Sequence, residues 1–283
     1  MGPYREHQVT NADGLSLYAR EFGPSDGRAL VCLHGLTRNA ADFELLAAAL
    51  GPQQRLIAID FRGRARSDHD PDWRRYKPPT YVDDVFCQLD SLAVGPAIFC
   101  GTSLGGLVSM LIAAREPRRL RGVILNDIGP VIEPEGLARI QQYTGTLAPL
   151  TSWDDAVEQM RDVYGDGLPD LDEQAWRALA ERSCRVAANG APTLDFDPNI
   201  GRAIREIDMG LGDPWTLFAS LVAIPTLVLR GENSDILGHE TVLEMRRRKP
   251  DLISVEVPNR GHVPLLDEPS SVAAIRQFIK ENV

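Results

Sequence analysis

Ala97-Ile98-Phe99-Cys100-Gly101-Thr102-Ser103-Leu104-Gly105-Gly106-Leu107-Val108-Ser109-Met110-Leu111-Ile112-Ala113 is the stretch whose reading decides the fold. Its first four residues are an apolar run of strand length that stops at a glycine. Just after Ser103 an apolar run of helical period begins. Between them lies Gly101-Thr102-Ser103-Leu104-Gly105, a G-x-S-x-G pattern in the strand–turn–helix context that makes the pattern meaningful. A serine on so sharp a turn projects its hydroxyl out of the sheet. Glycines on either side let strand and helix approach closely. The helix N-terminus behind the serine offers free N–H groups to a developing negative charge.

Working outward, residues 29–33, 55–59, 122–125, 225–230 and 253–257 are short, continuous apolar runs without alternation. Helical patterns lie between many of them: a segment behind Asn39 reaching Leu50, then 81–92, 239–248 and 270–281. Strands of this kind alternating with helices imply βαβ units and a parallel sheet covered on both faces. At the start, 7–10 and 15–21 flank the turn sequence Asn11-Ala12-Asp13-Gly14, which predicts an antiparallel hairpin. The rhythm breaks between about Gly129 and Gly212. That stretch reads as helices over 136–143, 153–164 (behind a Ser152 cap) and 173–186, followed by an irregular extended segment over 191–199. The expected organisation is therefore one α/β domain, residues 1–128 and 213–283, interrupted by a helical cap at 129–212. A cap inserted beside the serine would exclude water and shape a pocket. Tyr143, Trp153, Trp176, Phe196, Met209 and Trp215 are its candidate pocket walls.

The chain has 283 residues, 43% of them apolar and 25% charged, with a net charge of −10. That length supports one large domain or one domain with an insertion. The acidic balance argues against nucleic acid and anionic membrane as partners. No run approaches a membrane span, and the N-terminus lacks the apolar core of a signal peptide, so a cytoplasmic location is expected. Cys32, Cys87, Cys100 and Cys184 form no C-x-x-C pair. Neither a metal nor any other cofactor is expected. The oligomeric state is left open.

A serine hydroxyl needs a base to take its proton, and the base needs an acid to orient it. Of the five histidines, His7 lies in the first edge strand, His69 in a polar loop and His239 at a helix start. His34 follows the strand 29–33 and precedes a glycine, where it shapes a loop. His262 lies between the last strand and the last helix, a position that emerges at the carboxyl edge of a parallel sheet, where α/β sites form. For the acid, Asp235 follows the strand 225–230 at the same edge and is the leading candidate. Asp127 ends another strand there and is its rival, and Glu232 and Asp267 lie near the two loops. The order Ser103, Asp235, His262 is that of G-x-S-x-G enzymes. The oxyanion donors are expected to be main-chain N–H groups, those of Leu104 and of Leu36 behind His34-Gly35.

Taken with the loop Asp60-Phe61-Arg62-Gly63 to Ser67, these motifs make the chain resemble the α/β-hydrolase superfamily over nearly its whole length. Ala65 stands where many members have a second glycine. The resemblance is to the small bacterial lidded esterases, lactonases and carbon–carbon bond hydrolases. It implies a mostly parallel central sheet of about eight strands, helices on both faces and a helical cap. The implied activity is hydrolysis of a small carboxylic ester or lactone through an acyl-enzyme, with a small acyl compound as the partner. Thr102 and Val263 depart from the carbon–carbon hydrolases, which carry Asn and Trp there. An acyltransferase and a receptor-like ligand binder are the other readings of the same fold.

Overall fold

A computed structural model describes residues 3–206 and 212–282. Ten strands and ten α-helices are assigned among them. The N-terminal hairpin is β1 (Tyr4–Thr10) and β2 (Ser16–Phe22), antiparallel as its turn chemistry predicts. Then come β3 (Ala29–Leu33), α1 (Glu44–Leu50), β4 (Arg55–Ile59), α2 (Pro78–Ser91), β5 (Ala97–Thr102), α3 (Leu104–Arg115) and β6 (Leu120–Asn126). After β6 follow α4 (Pro134–Thr146), α5 (Trp153–Tyr164), α6 (Glu173–Ser183), the strands β7 (Cys184–Val186) and β8 (Pro192–Leu194), and α7 (Asn199–Glu206). The sheet resumes through α8 (Pro214–Ala219), β9 (Thr226–Gly231), α9 (His239–Arg248), β10 (Ile253–Val257) and α10 (Pro269–Asn282).

Eight strands form one sheet in the order β1-β2-β4-β3-β5-β6-β9-β10. β2 pairs antiparallel with β4, and from β4 to β10 every pairing is parallel. Successive side chains of each strand feed opposite faces. Val31, Ile57, Phe99, Val123 and Val228 join one core with α2, α3, α8 and α9. Their strand neighbours Leu30, Leu56, Ile98, Ile124 and Leu227 join the other with α1 and α10. Burial on both faces explains why these strands read as unbroken apolar runs. Cys32 and Cys100 face each other across β3 and β5 as free, buried thiols.

The segment between β6 and β9 divides in two. α4 and α7 pack on the main core through Ile140, Ile200 and Ala203. α5, α6 and β7 enclose a small core of their own around Met160, Trp176 and Leu179. α5 begins with the capping box its sequence announces, Ser152 with Asp155. Two readings of this region need correction. The helix expected over 173–186 stops at Ser183, because its last three residues turn into β7. The extended 191–199 segment contains β8, which pairs with β7. α8 is an element that the sequence reading did not include. Among the described residues no helix is long and apolar enough to cross a membrane.

The 60–68 loop is tied to this segment by main-chain bonds, Ala65 N to Asp195 O at 2.8 Å and Asp197 N to Gly63 O at 2.8 Å. At its root Asp60 is fully buried and accepts from Ala40 N at 2.6 Å. Burial pushes the Asp60 carboxyl up to about 7, against the lowering effect of the Ala40 and Arg66 amides. The folded chain thus keeps a proton that the unfolded chain releases near pH 4. Stability from this group falls as pH rises from about 4 to about 7, then levels off. Asp60→Asn is expected to flatten that decline, by up to about 4 kcal/mol between the two limits. Urea unfolding of both proteins across this pH range measures it. Parallel curves would contradict the assignment.

Candidate active site

Ser103 sits between β5 and α3 at φ 50°, ψ −112°, a conformation that side-chain-bearing residues rarely adopt. Space at the turn is equally restricted. A Cβ on Gly101 would lie 2.4 Å from the Gly105 carbonyl group, and one on Gly105 only 2.0 Å from Leu33 O. Strand and helix can cross here only because both positions are glycine.

His262, in the loop between β10 and α10, brings Nε2 to 3.0 Å from Ser103 Oγ. Its Nδ1 lies 2.7 Å from Asp127 Oδ2. A carboxylate oxygen accepts, so Nδ1 carries the proton and Nε2 is left to accept from the serine hydroxyl. Asp127 follows β6 directly and is fully buried, with φ 54°. It also accepts from Gly231 N at 2.8 Å and Ser234 Oγ at 2.6 Å.

Asp235, the leading acid candidate from the sequence, is not at His262. Its two oxygens take Arg139 Nε and Nη2 at 2.6 and 2.9 Å. Burial would raise its carboxyl, but the Arg139 guanidinium outweighs that and holds it below the usual range. The physical reason is reach. Asp127 is the first residue past its strand, whereas Asp235 lies four residues beyond Gly231, where the loop has turned toward α4. The signal for Asp127 was present, an aspartate ending a strand at the correct edge, but the pull of Arg139 from a distant helix was not visible. Ser234, which donates to the Asp127 carboxylate, was not among the sequence candidates. Glu232 accepts from Asn259 N, and Asp267 lies outside the cluster.

The loop carrying Leu36 is fixed from below. His34 Nδ1 donates to Gly35 O at 2.7 Å, and Nε2 accepts from Phe61 N at 3.1 Å. Burial, with Arg64 beside it, pushes His34 down to about 3, so it stays neutral. A ring whose two nitrogens are committed in this way positions the loop and is no base for Ser103. Arg64 adds a second tie, Nε to Leu36 O at 3.0 Å. Among the described residues no partner is recorded for the N–H groups of Leu36 and Leu104, and both residues line cavity space next to Ser103.

Arg38 is partly buried at the edge of the space beside Ser103, with its guanidinium already committed. It is held by both oxygens of Asp42 and by Ser183. Of the aromatic wall candidates, Tyr143 borders the space beside Ser103, together with Tyr164. Trp176 packs in the α5–α6 core with Trp153 against it, Phe196 packs in the main core, and Trp215 lies edge-on to Phe218. Met209 lies outside the described residues.

Comparison with known proteins agrees with this architecture. Residues 30–275 match the model of the alpha/beta hydrolase family. A 3-hydroxybutyrate-oligomer hydrolase of Cupriavidus necator is 33% identical, over 96% of this chain and 95% of its own. A 2-(acetamidomethylene)succinate hydrolase of Mesorhizobium japonicum is 31% identical, over 94% and 92%. The crystal structure of an alpha/beta hydrolase from Novosphingobium aromaticivorans superposes with a TM-score of 0.92 at 38% identity, covering all of both chains.

Proposed function

Because the chain belongs to the alpha/beta hydrolase family and is a hydrolase, we propose that it cleaves a small carboxylic ester or lactone through an acyl-enzyme on Ser103. The observation that supports this most is the unbroken hydrogen-bond chain from Ser103 Oγ through His262 to Asp127. His262 Nε2 takes the hydroxyl proton while Oγ bonds to the carbonyl carbon. The carbonyl oxygen, now negative, is met by the N–H groups of Leu36 and Leu104. As the bond from carbon to the leaving oxygen breaks, Nε2 gives its proton to that oxygen. A water molecule then repeats the sequence, its proton passing to His262 and its oxygen displacing Ser103. Asp127 keeps Nδ1 protonated and stabilises the imidazolium. In this reading 129–212 is a cap over the site, and it docks on the histidine loop through Gly261 N to Gly167 O at 2.7 Å.

Treatment with a fluorophosphonate tests the reading. One adduct per chain is expected, on the peptide that contains Ser103, and none on Ser103→Ala. Labelling elsewhere, or equal labelling of the variant, would refute it.

A further inference from the structure

Two cavities meet at Ser103; both are mostly apolar, and they differ in size and in the charged pair that borders one of them. The smaller, about 60 Å³, is bordered by His262, by Thr37, Tyr143, Tyr164 and the paired Arg38 and Asp42, and by apolar side chains such as Leu168 and Leu265. The larger, about 200 Å³, is bordered by Leu104 and lined by aliphatic side chains that include Leu107, Ile128, Ile132 and Ile204. Leu36 and Ser103 border both, His262 only the first and Leu104 only the second.

The tetrahedral carbon carries four groups, and three have fixed places: Ser103 Oγ, the oxygen facing the Leu36 and Leu104 amides, and the leaving oxygen. The leaving oxygen must lie within reach of His262 Nε2 to receive its proton, so it departs into the smaller cavity, the one that His262 borders. The acyl carbon chain is then directed to the other side, into the aliphatic cavity. An apolar cavity of about 150 Å³ takes up a benzene molecule, so one of about 200 Å³ holds about eight carbons. Among the described residues on its border, Gln141 is the one polar side chain besides Ser103 itself, and none is charged. A carboxylate on the acyl chain would be buried there without a partner, at heavy cost.

Resting on the acyl-enzyme reading above, we infer that the substrate is an ester of an uncharged aliphatic acid of about six to eight carbons with a small alcohol. Straight-chain methyl esters from two to twelve carbons test this, together with ethyl, butyl and hexyl acetates and a monomethyl dicarboxylate. The expected kcat/KM rises about fourfold per acyl methylene, peaks near six to eight carbons, and falls beyond. The acetates should not improve with alcohol length, and the charged acyl ester should be poor. Ile132→Trp and Ile204→Trp, on separate segments of the wall, should move the optimum to shorter acyl chains while fluorophosphonate still labels Ser103. A profile flat in acyl length, one that rises with alcohol length instead, or an optimum unmoved in both variants would overturn the inference while labelling leaves the acyl-enzyme standing. An enzyme inactive on every ester and unlabelled would overturn both.

Discussion

Ser103→Ala is expected to lower kcat on a medium-chain methyl ester by on the order of 10⁶-fold. The loss is large because no other group can form the acyl-enzyme, and the triad acts as a unit. The fold should survive. Beyond Nε2 of His262, the partners of Ser103 are main-chain ones: Ser103 N donates to Asn126 O at 3.0 Å, and Ser103 O accepts from Gly106 N at 2.9 Å and Leu107 N at 3.2 Å. Alanine keeps all three, and it meets the strained φ with the same Cβ that serine has. A residual rate above water should remain from the Leu36 and Leu104 amides and from binding. Steady-state kinetics with matched thermal melts checks this. A loss of less than tenfold would show that another group reacts.

Asp127→Asn is expected to cost about 10⁴-fold in kcat, for a reason its hydrogen bonds supply. Oδ1 accepts from Gly231 N, a donor that needs an oxygen. The amide oxygen therefore turns to Gly231 and the amide nitrogen faces His262 Nδ1. That nitrogen can only donate, so the ring is forced into the tautomer with its proton on Nε2. In that form His262 cannot accept the Ser103 proton. Asp235→Asn removes an ion pair with Arg139 whose partners are 38% and 36% exposed. Such pairs contribute about 0–1 kcal/mol, so a change under tenfold is expected.

Which parts were legible in the sequence follows from how local their signals are. β3, β4, β5 and β9 are buried on both faces, so continuous apolar runs marked them. The Gly101–Gly105 turn was marked because its close approaches are made by the motif itself and by the adjacent β3. Ser152 and Asp155 announced α5 by the same locality. β7 and β8 are three residues each, too short for a period to show, and they exist because they pair with each other. α8 had its cap in plain sight, Asp213 with Pro214 at the first turn, but six residues carry too little pattern to be read as a helix. The acid of the site was ambiguous because β6 and β9 are neighbours and both deliver an aspartate to one edge. Arg139, nearly a hundred residues from Asp235, decides between them. Trp153, Trp176 and Trp215 are bulky enough to line a pocket, yet each found apolar or aromatic packing partners. The cavity walls came mostly from small aliphatic residues, which carry no distinguishing mark in a sequence.

The central claim is that His262 is oriented by Asp127. The most direct measurement is the second-order rate of fluorophosphonate labelling of Ser103 in Asp127→Asn and Asp235→Asn, side by side with the unaltered protein. It needs no knowledge of the natural substrate, and it reads the serine's activation alone. A fall of about 10³-fold or more in Asp127→Asn, with Asp235→Asn within tenfold of the unaltered protein, is the expected result. The reverse ordering, or an equal fall in both, would contradict the account.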